Sequence, residues 1–167
     1  VEPGYYSPDS DALKRRQIRH MTSFCHKIYA LNPDLLRVLP PGSEFLPYSH
    51  ISLEEWTPSY TQDHPGPLRI GHAPSHRGVK GTEIILNTLK VLQSEGFKFE
   101  LVLIEGVSND IAKDIYETVD VLIDQLFAGW YGGLGLEAMA LGKPVVAYIR
   151  DEDLQFLPRQ MRIDLPV

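Results

Sequence analysis

Two stretches of this chain bring together residue types suited to holding phosphate. The first, His-Ala-Pro-Ser-His-Arg-Gly-Val-Lys-Gly-Thr-Glu (72–83), sets Ser75, His76, Arg77, Gly78, Lys80, Gly81 and Thr82 in close order. Two cations, two glycines that let a ligand approach the backbone, and free amides at a helix start together suit a diphosphate. The same residues also suit an ordinary strand-to-helix loop with solvated charges, and position alone does not separate the two. Glycine spacing and the missing Lys-Ser or Lys-Thr ending exclude a Walker loop, and the stretch is not the dinucleotide fingerprint. The second stretch, Gly-Trp-Tyr-Gly-Gly-Leu-Gly-Leu-Glu-Ala-Met-Ala-Leu-Gly-Lys-Pro (129–144), places Gly129, Gly132, Gly133 and Gly135 ahead of a short helical run bearing Glu137. Glycines at that density let backbone amides reach a ligand, whereas Glu137 in a first helical turn could equally favour the dipole or serve as a cap partner.

The elements that must position these stretches follow from periodicity. Leu13, Ile18, Met21, Phe24, Cys25 and Ile28 recur at three- and four-residue steps, which predicts a helix within 11–29 with one apolar side. From Asn32 to Pro67, seven prolines (33, 40, 41, 47, 58, 65 and 67) interrupt anything longer than a short strand or a single helical turn, and mark a linker. Beyond it, strands at 68–72, 99–104, 119–123 and 144–149 alternate with helices at 82–94, from Ser108 to about Thr118, and at 135–141. The last strand, Pro144 to Ile149, is a continuous apolar run of the kind buried on both faces of a sheet. Such alternation specifies an α/β fold with a parallel, doubly wound, Rossmann-like sheet. Ligands of open parallel sheets bind beyond the carboxyl ends of the strands, so the loops after His72, Ile104, Ile123 and Ile149 are where chemistry is expected.

Composition narrows the class. A net charge of −6 without a sustained basic face argues against a nucleic-acid surface; Lys14, Arg15, Arg16 and Arg19 read as one solvated helix face. Cys25 is the single cysteine, so no internal disulfide and no cysteine metal site can form, which fits a reducing cytoplasm. No apolar run reaches membrane-spanning length. The chain opens on Val1 and closes on Leu165-Pro166-Val167, and reads as a piece of a longer protein.

The run Glu137-Ala138-Met139-Ala140-Leu141-Gly142-Lys143-Pro144-Val145-Val146 closely resembles the second half of the signature of family-4 (group 1) retaining glycosyltransferases, and Lys80-Gly81 resembles the Lys-Gly that opens their phosphate-binding helix. Phe45-Leu46-Pro47 and Leu53-Glu54-Glu55-Trp56 are similar to the extended crossing between the two domains of that GT-B fold. The resemblance implies that residues 1–67 are the end of an acceptor domain and its linker, and that 68–167 form a nucleotide-sugar-binding domain truncated at its C-terminus. It implies a hexosyltransferase that binds a nucleotide diphosphate sugar and delivers the sugar to an acceptor hydroxyl, in polysaccharide or glycan synthesis, without metal or cofactor. Lys80 and Arg77 would serve catalysis by neutralising the diphosphate. Ser75, Gly81, Gly132, Gly133 and Leu134 would line the donor, and Glu137 would hold the ribose hydroxyls. The partners implied are the donor, a glycan or lipid-linked acceptor and a missing N-terminal acceptor domain; the full protein could associate peripherally with a membrane, and this fragment alone would be inactive.

Departures from the family pattern leave parts of that reading open. Gly129 stands where the first signature Glu belongs, so the contact to the donor sugar and the stereochemical outcome are unassigned. Ser75 stands where relatives often carry an Arg, and only one loop and helix lie between Ile104 and Val119, where many relatives have a further strand. Asp151-Glu152-Asp153 is similar to the metal-binding Asp-x-Asp of the other large glycosyltransferase fold, but reads better as a solvated acidic turn. His72 and His76 could contact phosphate, although a histidine at a strand end is more often structural. Trp130 and Tyr131 suit stacking on a sugar or packing a domain interface equally. Met139 reads as core. Two alternatives stand beside the transferase: a nucleotide-sugar-binding module without transfer activity, which Gly129 favours, and a GT-B-fold nucleotide-sugar epimerase, which the Glu-Ala-Met-Ala run disfavours.

Overall fold

From Leu68 onward each strand pairs in parallel with a neighbour reached through a helix, as the alternating pattern predicts. The computed structural model describes residues 8–60 and 66–165; Val1, Pro65, Pro166 and Val167, named above, lie outside the described residues. Two units are distinguished: Val1–Pro47 with Ile149–Val167, and Tyr48–Tyr148. They divide at Pro47 and Tyr148, where the sequence pattern places a boundary after Pro67.

The first unit begins with α1 (Pro8–Thr22). It stops well short of residue 29. The Thr22 hydroxyl donates to the Ile18 carbonyl at 2.7 Å and the Ser23 hydroxyl to the His20 carbonyl at 2.7 Å, closing the last turn, as short hydroxyl side chains often do. Leu13 and Met21 are exposed, so the expected apolar side of this helix is not buried. After the helix, β1 (Tyr29–Ala30) pairs in parallel with β2 (Glu44–Phe45), joined through a 3-10 turn at Pro33–Arg37. The proline-rich segment is therefore partly structured, each element being as short as its prolines allow.

The second unit is a four-stranded sheet. Its elements are β3 (Leu68–His72), α2 (Arg77–Lys80), α3 (Thr82–Ser94), β4 (Phe99–Leu103), α4 (Asn109–Glu117), β5 (Val121–Ile123), α5 (Gly133–Ala140) and β6 (Val145–Val146). The order is β4-β3-β5-β6, all parallel, with Ile70 opposite Leu101 on one side and opposite Val121 on the other. Strand alternation sorts the core. Val121 and Ile123 pack with Ile70, Ile85 and Leu89 of the α3 side, whereas Leu122 between them joins Tyr116, Leu134, Ala138 and Leu141 of the α4 and α5 side. Successive strand residues point to opposite faces, so helices cover both faces of the sheet.

Three expectations fail here for stated reasons. The run 144–149 is not buried on both faces: its strand, β6, is only Val145–Val146 and lies at an edge of the sheet, and Val146 and Tyr148 of the run are exposed. Met139 is exposed rather than core, because the inward positions of α5 are Leu134, Ala138 and Leu141. Part of the supposed linker is core, since Trp56 is buried beside Ala112 and Tyr116 and carries the Lys113 ammonium 5.0 Å from its ring centroid. In the first unit, α6 (Arg159–Asp164) follows a 3-10 turn at Asp151–Phe156.

Leu122, without solvent exposure in the middle of the larger core cluster, should lose about 2–5 kcal/mol of stability on truncation to Ala. Urea unfolding followed by tryptophan fluorescence measures this, and a loss below about 1 kcal/mol would show that the sheet does not pack as described.

Candidate functional site

The strand order locates the site. From β3 the chain passes through α2 and α3 to β4 on one side, while β5 lies against β3 on the other. Loops leaving the carboxyl ends of β3 and β5 therefore part in opposite directions, and the crevice between them is where parallel sheets bind ligands. The β3 loop carries Lys80, and the β5 loop leads to the start of α5 at Gly132 and Gly133.

His72 holds the floor of this crevice. It is fully buried, with Nδ1 2.8 Å from the Ile123 carbonyl and Nε2 2.9 Å from the Thr82 hydroxyl. A carbonyl can only accept, so Nδ1 carries the proton and Nε2 accepts from Thr82. Burial lowers the His72 pKa from 6.5, outweighing the opposing bond to Ile123, and so favours the neutral ring. His72 is thus a structural pin between β3, β5 and α3. His76 accepts from the Val79 amide at 3.4 Å and caps α2, so the 72–83 stretch contains a helical turn rather than an open loop. Gly81 joins α2 to α3 in the left-handed region at φ 75°, where a Cβ would lie 3.1 Å from Leu126.

Lys80 meets a carboxylate that the sequence motifs do not mark. Its Nζ lies 2.6 Å from Asp124 Oδ1, and the Gly132 amide donates to Asp124 Oδ2 at 2.5 Å. Asp124 has no solvent exposure, and the Lys80 side chain retains 11%. Lys80 is therefore largely buried and paired, not a loop charge in a mouth open to solvent. The Leu126 amide also donates to the Lys80 carbonyl at 3.3 Å, tying the β5 loop to the end of α2. Gly132 and Gly135 make room for this carboxylate: a Cβ on Gly132 would lie 3.0 Å from Lys80 Nζ, and one on Gly135 2.9 Å from Asp124 Oδ2.

The other expected site residues distribute unevenly. Arg77 faces away from this pair, with its fork on Glu83 (2.8 and 3.1 Å) and Glu105 (2.8 and 3.0 Å). Ser75 is exposed before α2, and the Leu134 side chain belongs to the core. Gly133 opens α5, where a Cβ would lie 3.6 Å from His50 Nε2. Glu137 is half-buried one turn further on; burial raises its pKa above 4.5, with His50 opposing and Asp124 adding to the shift. Tyr116 beneath is pushed up to about 12 by burial and by the carboxylates of Glu137 and Asp124. The structure thus brings Lys80, Gly132, Gly133 and Glu137 together at the carboxyl ends of β3 and β5, whereas the Arg77 guanidinium is committed to Glu83 and Glu105.

No protein-family model matches this chain, and no curated protein matches its sequence significantly.

Two further residues belong to this end of the sheet, Asp124 and His50. A carboxylate at the carboxyl end of a central strand was a signal for the first; His50, in a proline-rich segment without periodicity, gave none. Trp130 is fully buried and Tyr131 nearly so, with ring centroids 4.5 Å apart, so neither ring offers a face for a sugar. The Trp130 carbonyl accepts from the buried Gln125 amide. The Asp151–Asp153 turn is not wholly solvated: Asp151 and Glu152 are exposed, but Asp153 is buried and receives Arg37 on one oxygen, with Arg150 3.5 Å from the other. Among the described residues no group of His, Cys, Asp or Glu side chains is arranged to hold a metal ion. Nor, among them, is any helix long and apolar enough to cross a membrane.

Removing one partner of a buried ion pair leaves the other uncompensated, so Lys80→Ala should destabilise the protein by about 3–5 kcal/mol, whereas Arg77→Ala, which breaks only exposed ion pairs, should lose much less. Equal small losses in urea unfolding would show that Lys80 is a surface charge. A raised Glu137 pKa makes its proton bind more tightly in the folded state. Its favourable contribution is complete below 4.5 and is lost as pH rises through the raised value. Glu137→Gln should therefore raise the unfolding midpoint at pH 7 and leave it unchanged near pH 3; the opposite pattern would indicate a stabilising carboxylate.

Proposed function

We infer that this chain is the donor-binding part of a glycosyltransferase that uses a nucleotide diphosphate sugar. The observation that carries the reading is the meeting of Lys80 and the first amides of α5 at the crevice between β3 and β5. An ammonium and helix-start amides at such a crevice favour a diphosphate, and they are the groups that stabilise charge on a departing nucleoside diphosphate without a metal. The run from Glu137 to Val146 supports the family assignment through its resemblance to group 1 glycosyltransferases. On that reading Glu137, one turn into α5, holds the ribose hydroxyls, and Arg77 does not touch the diphosphate unless it leaves Glu83 and Glu105.

A second reading is a nucleotide-sugar-binding module without transfer activity. Gly129 favours it, because glycine has no carboxylate to hold the sugar where the family signature has one. The epimerase reading has no comparable support. Both leading readings assign this chain the donor side, so acceptor positioning falls to groups outside it and transfer by the chain alone is not expected.

Calorimetry with nucleoside diphosphates, nucleotide sugars and inorganic pyrophosphate tests the assignment. Nucleoside diphosphate should bind and the matching nucleoside should not. Glu137→Gln should weaken nucleoside diphosphate binding about tenfold, a loss of roughly 1.4 kcal/mol, and leave pyrophosphate unchanged. Equal weakening of both ligands would return Glu137 to a purely structural role, and nucleoside binding as tight as the diphosphate would remove the phosphate site.

A further inference from the structure

We propose that Asp124 is a built-in occupant of the phosphate site, an internal carboxylate that holds Lys80 and the Gly132 amide until an incoming phosphate displaces it. The proposal rests on the diphosphate reading of the site given above. Each Asp124 oxygen serves one of the two groups, Oδ1 at 2.6 Å from Lys80 Nζ and Oδ2 at 2.5 Å from the Gly132 nitrogen. Both bonds end on a carboxylate and are therefore charge-assisted.

Proton counting decides between an occupant and a helper. A backbone amide has one hydrogen, and that of Gly132 is committed to Asp124, so it cannot also donate to a phosphate oxygen while this bond stands. Lys80 has three N–H bonds and could serve both partners, but its charge is already balanced by the carboxylate. Arg77 is likewise balanced by Glu83 and Glu105. A diphosphate arriving beside the fully buried Asp124 carboxylate meets like charge, and the ammonium beside it, Lys80, is already paired. The space is also taken: Cβ atoms on Gly132 and Gly135 would lie 3.4 and 2.9 Å from Oδ2, so the glycines form a cavity fitted to the carboxylate. Of the two side chains only Lys80 retains exposure, 11%, against none for Asp124, so a phosphate would compete through Lys80. Phosphate affinity is then set by the exchange of one anion for another, and Asp124 determines how strong an anion must be to enter.

The test is Asp124→Asn, a near-isosteric change that leaves an oxygen for Gly132 and frees the charge of Lys80. Titrated calorimetrically with inorganic pyrophosphate at fixed salt, Asp124→Asn should bind about tenfold more tightly than the parent, and adding Lys80→Met should abolish that gain. Binding by the parent with equal or weaker binding by Asp124→Asn would overturn the proposal and make Asp124 a positioning residue for Lys80. Failure of both proteins to bind would remove the diphosphate reading itself, and the proposal with it. Should Asp124→Asn not fold, nuclear magnetic resonance of the parent decides. Saturating pyrophosphate should shift both the Asp124 carboxyl carbon and the Gly132 amide resonances, and unmoved resonances under demonstrated binding would overturn the proposal.

Discussion

The buried pair of Asp124 and Lys80 is the contact around which this end of the sheet is arranged. It joins three pieces: the residue after β5, the last residue of α2, 44 residues away in sequence, and, through the Gly132 amide, the start of α5. A carboxylate without solvent contact is tolerable only when its charge is balanced and its lone pairs are filled. Much nearby sequence meets that requirement. Gly132 and Gly135 are glycines because any Cβ there would press on the pair, whatever else binds. The glycine density that suggests a ligand-facing backbone thus has a first explanation inside the protein.

His72 complements this arrangement. The Asp124 contact is ionic, whereas His72 contributes a neutral, dry connection between the ends of β3 and β5 and the first residue of α3. With its tautomer dictated by the Ile123 carbonyl, the ring has one way to satisfy both neighbours. The crevice floor is therefore fixed by geometry, while its upper part is held by charges that an anion could exchange. Lys143, buried and with its pKa lowered by that burial, donates to the Glu117 carbonyl at 2.9 Å and anchors the turn after α5 to the end of α4.

The sequence was most legible where periodicity governs. Helix α3 runs from Thr82 to Ser94 as the pattern predicts, and Ser108 stands at the N-cap of α4. Ends of strands were less legible, because the sheet sets them: β5 begins at Val121, since Asp120 accepts from the Arg69 amide at 2.7 Å through its side chain. The edge position of β6 could not be read from an apolar run, which looks alike in a central strand and in an edge strand. At the candidate site, residue type revealed Lys80 and the glycines but not their commitments. The partners of Lys80 and Arg77 lie 44 and up to 28 residues away in sequence, and only the fold brings them together.

The first unit has a different kind of consequence, concerning the order in which the chain can fold. It is drawn from both ends, with Asp153 buried and bonded to Arg37 across 116 residues. During synthesis Arg37 emerges long before its partner, and every residue of the Tyr48–Tyr148 unit is made in the interval. Closing so long a loop on an otherwise unfolded chain carries an entropic penalty that grows with the logarithm of its length. The sheet, whose pairings lie wholly within the intervening segment, is free to form first. The segment around Arg37 therefore remains without the Asp153 contact until translation has passed the sheet, so a unit begun before the sheet is completed only after it.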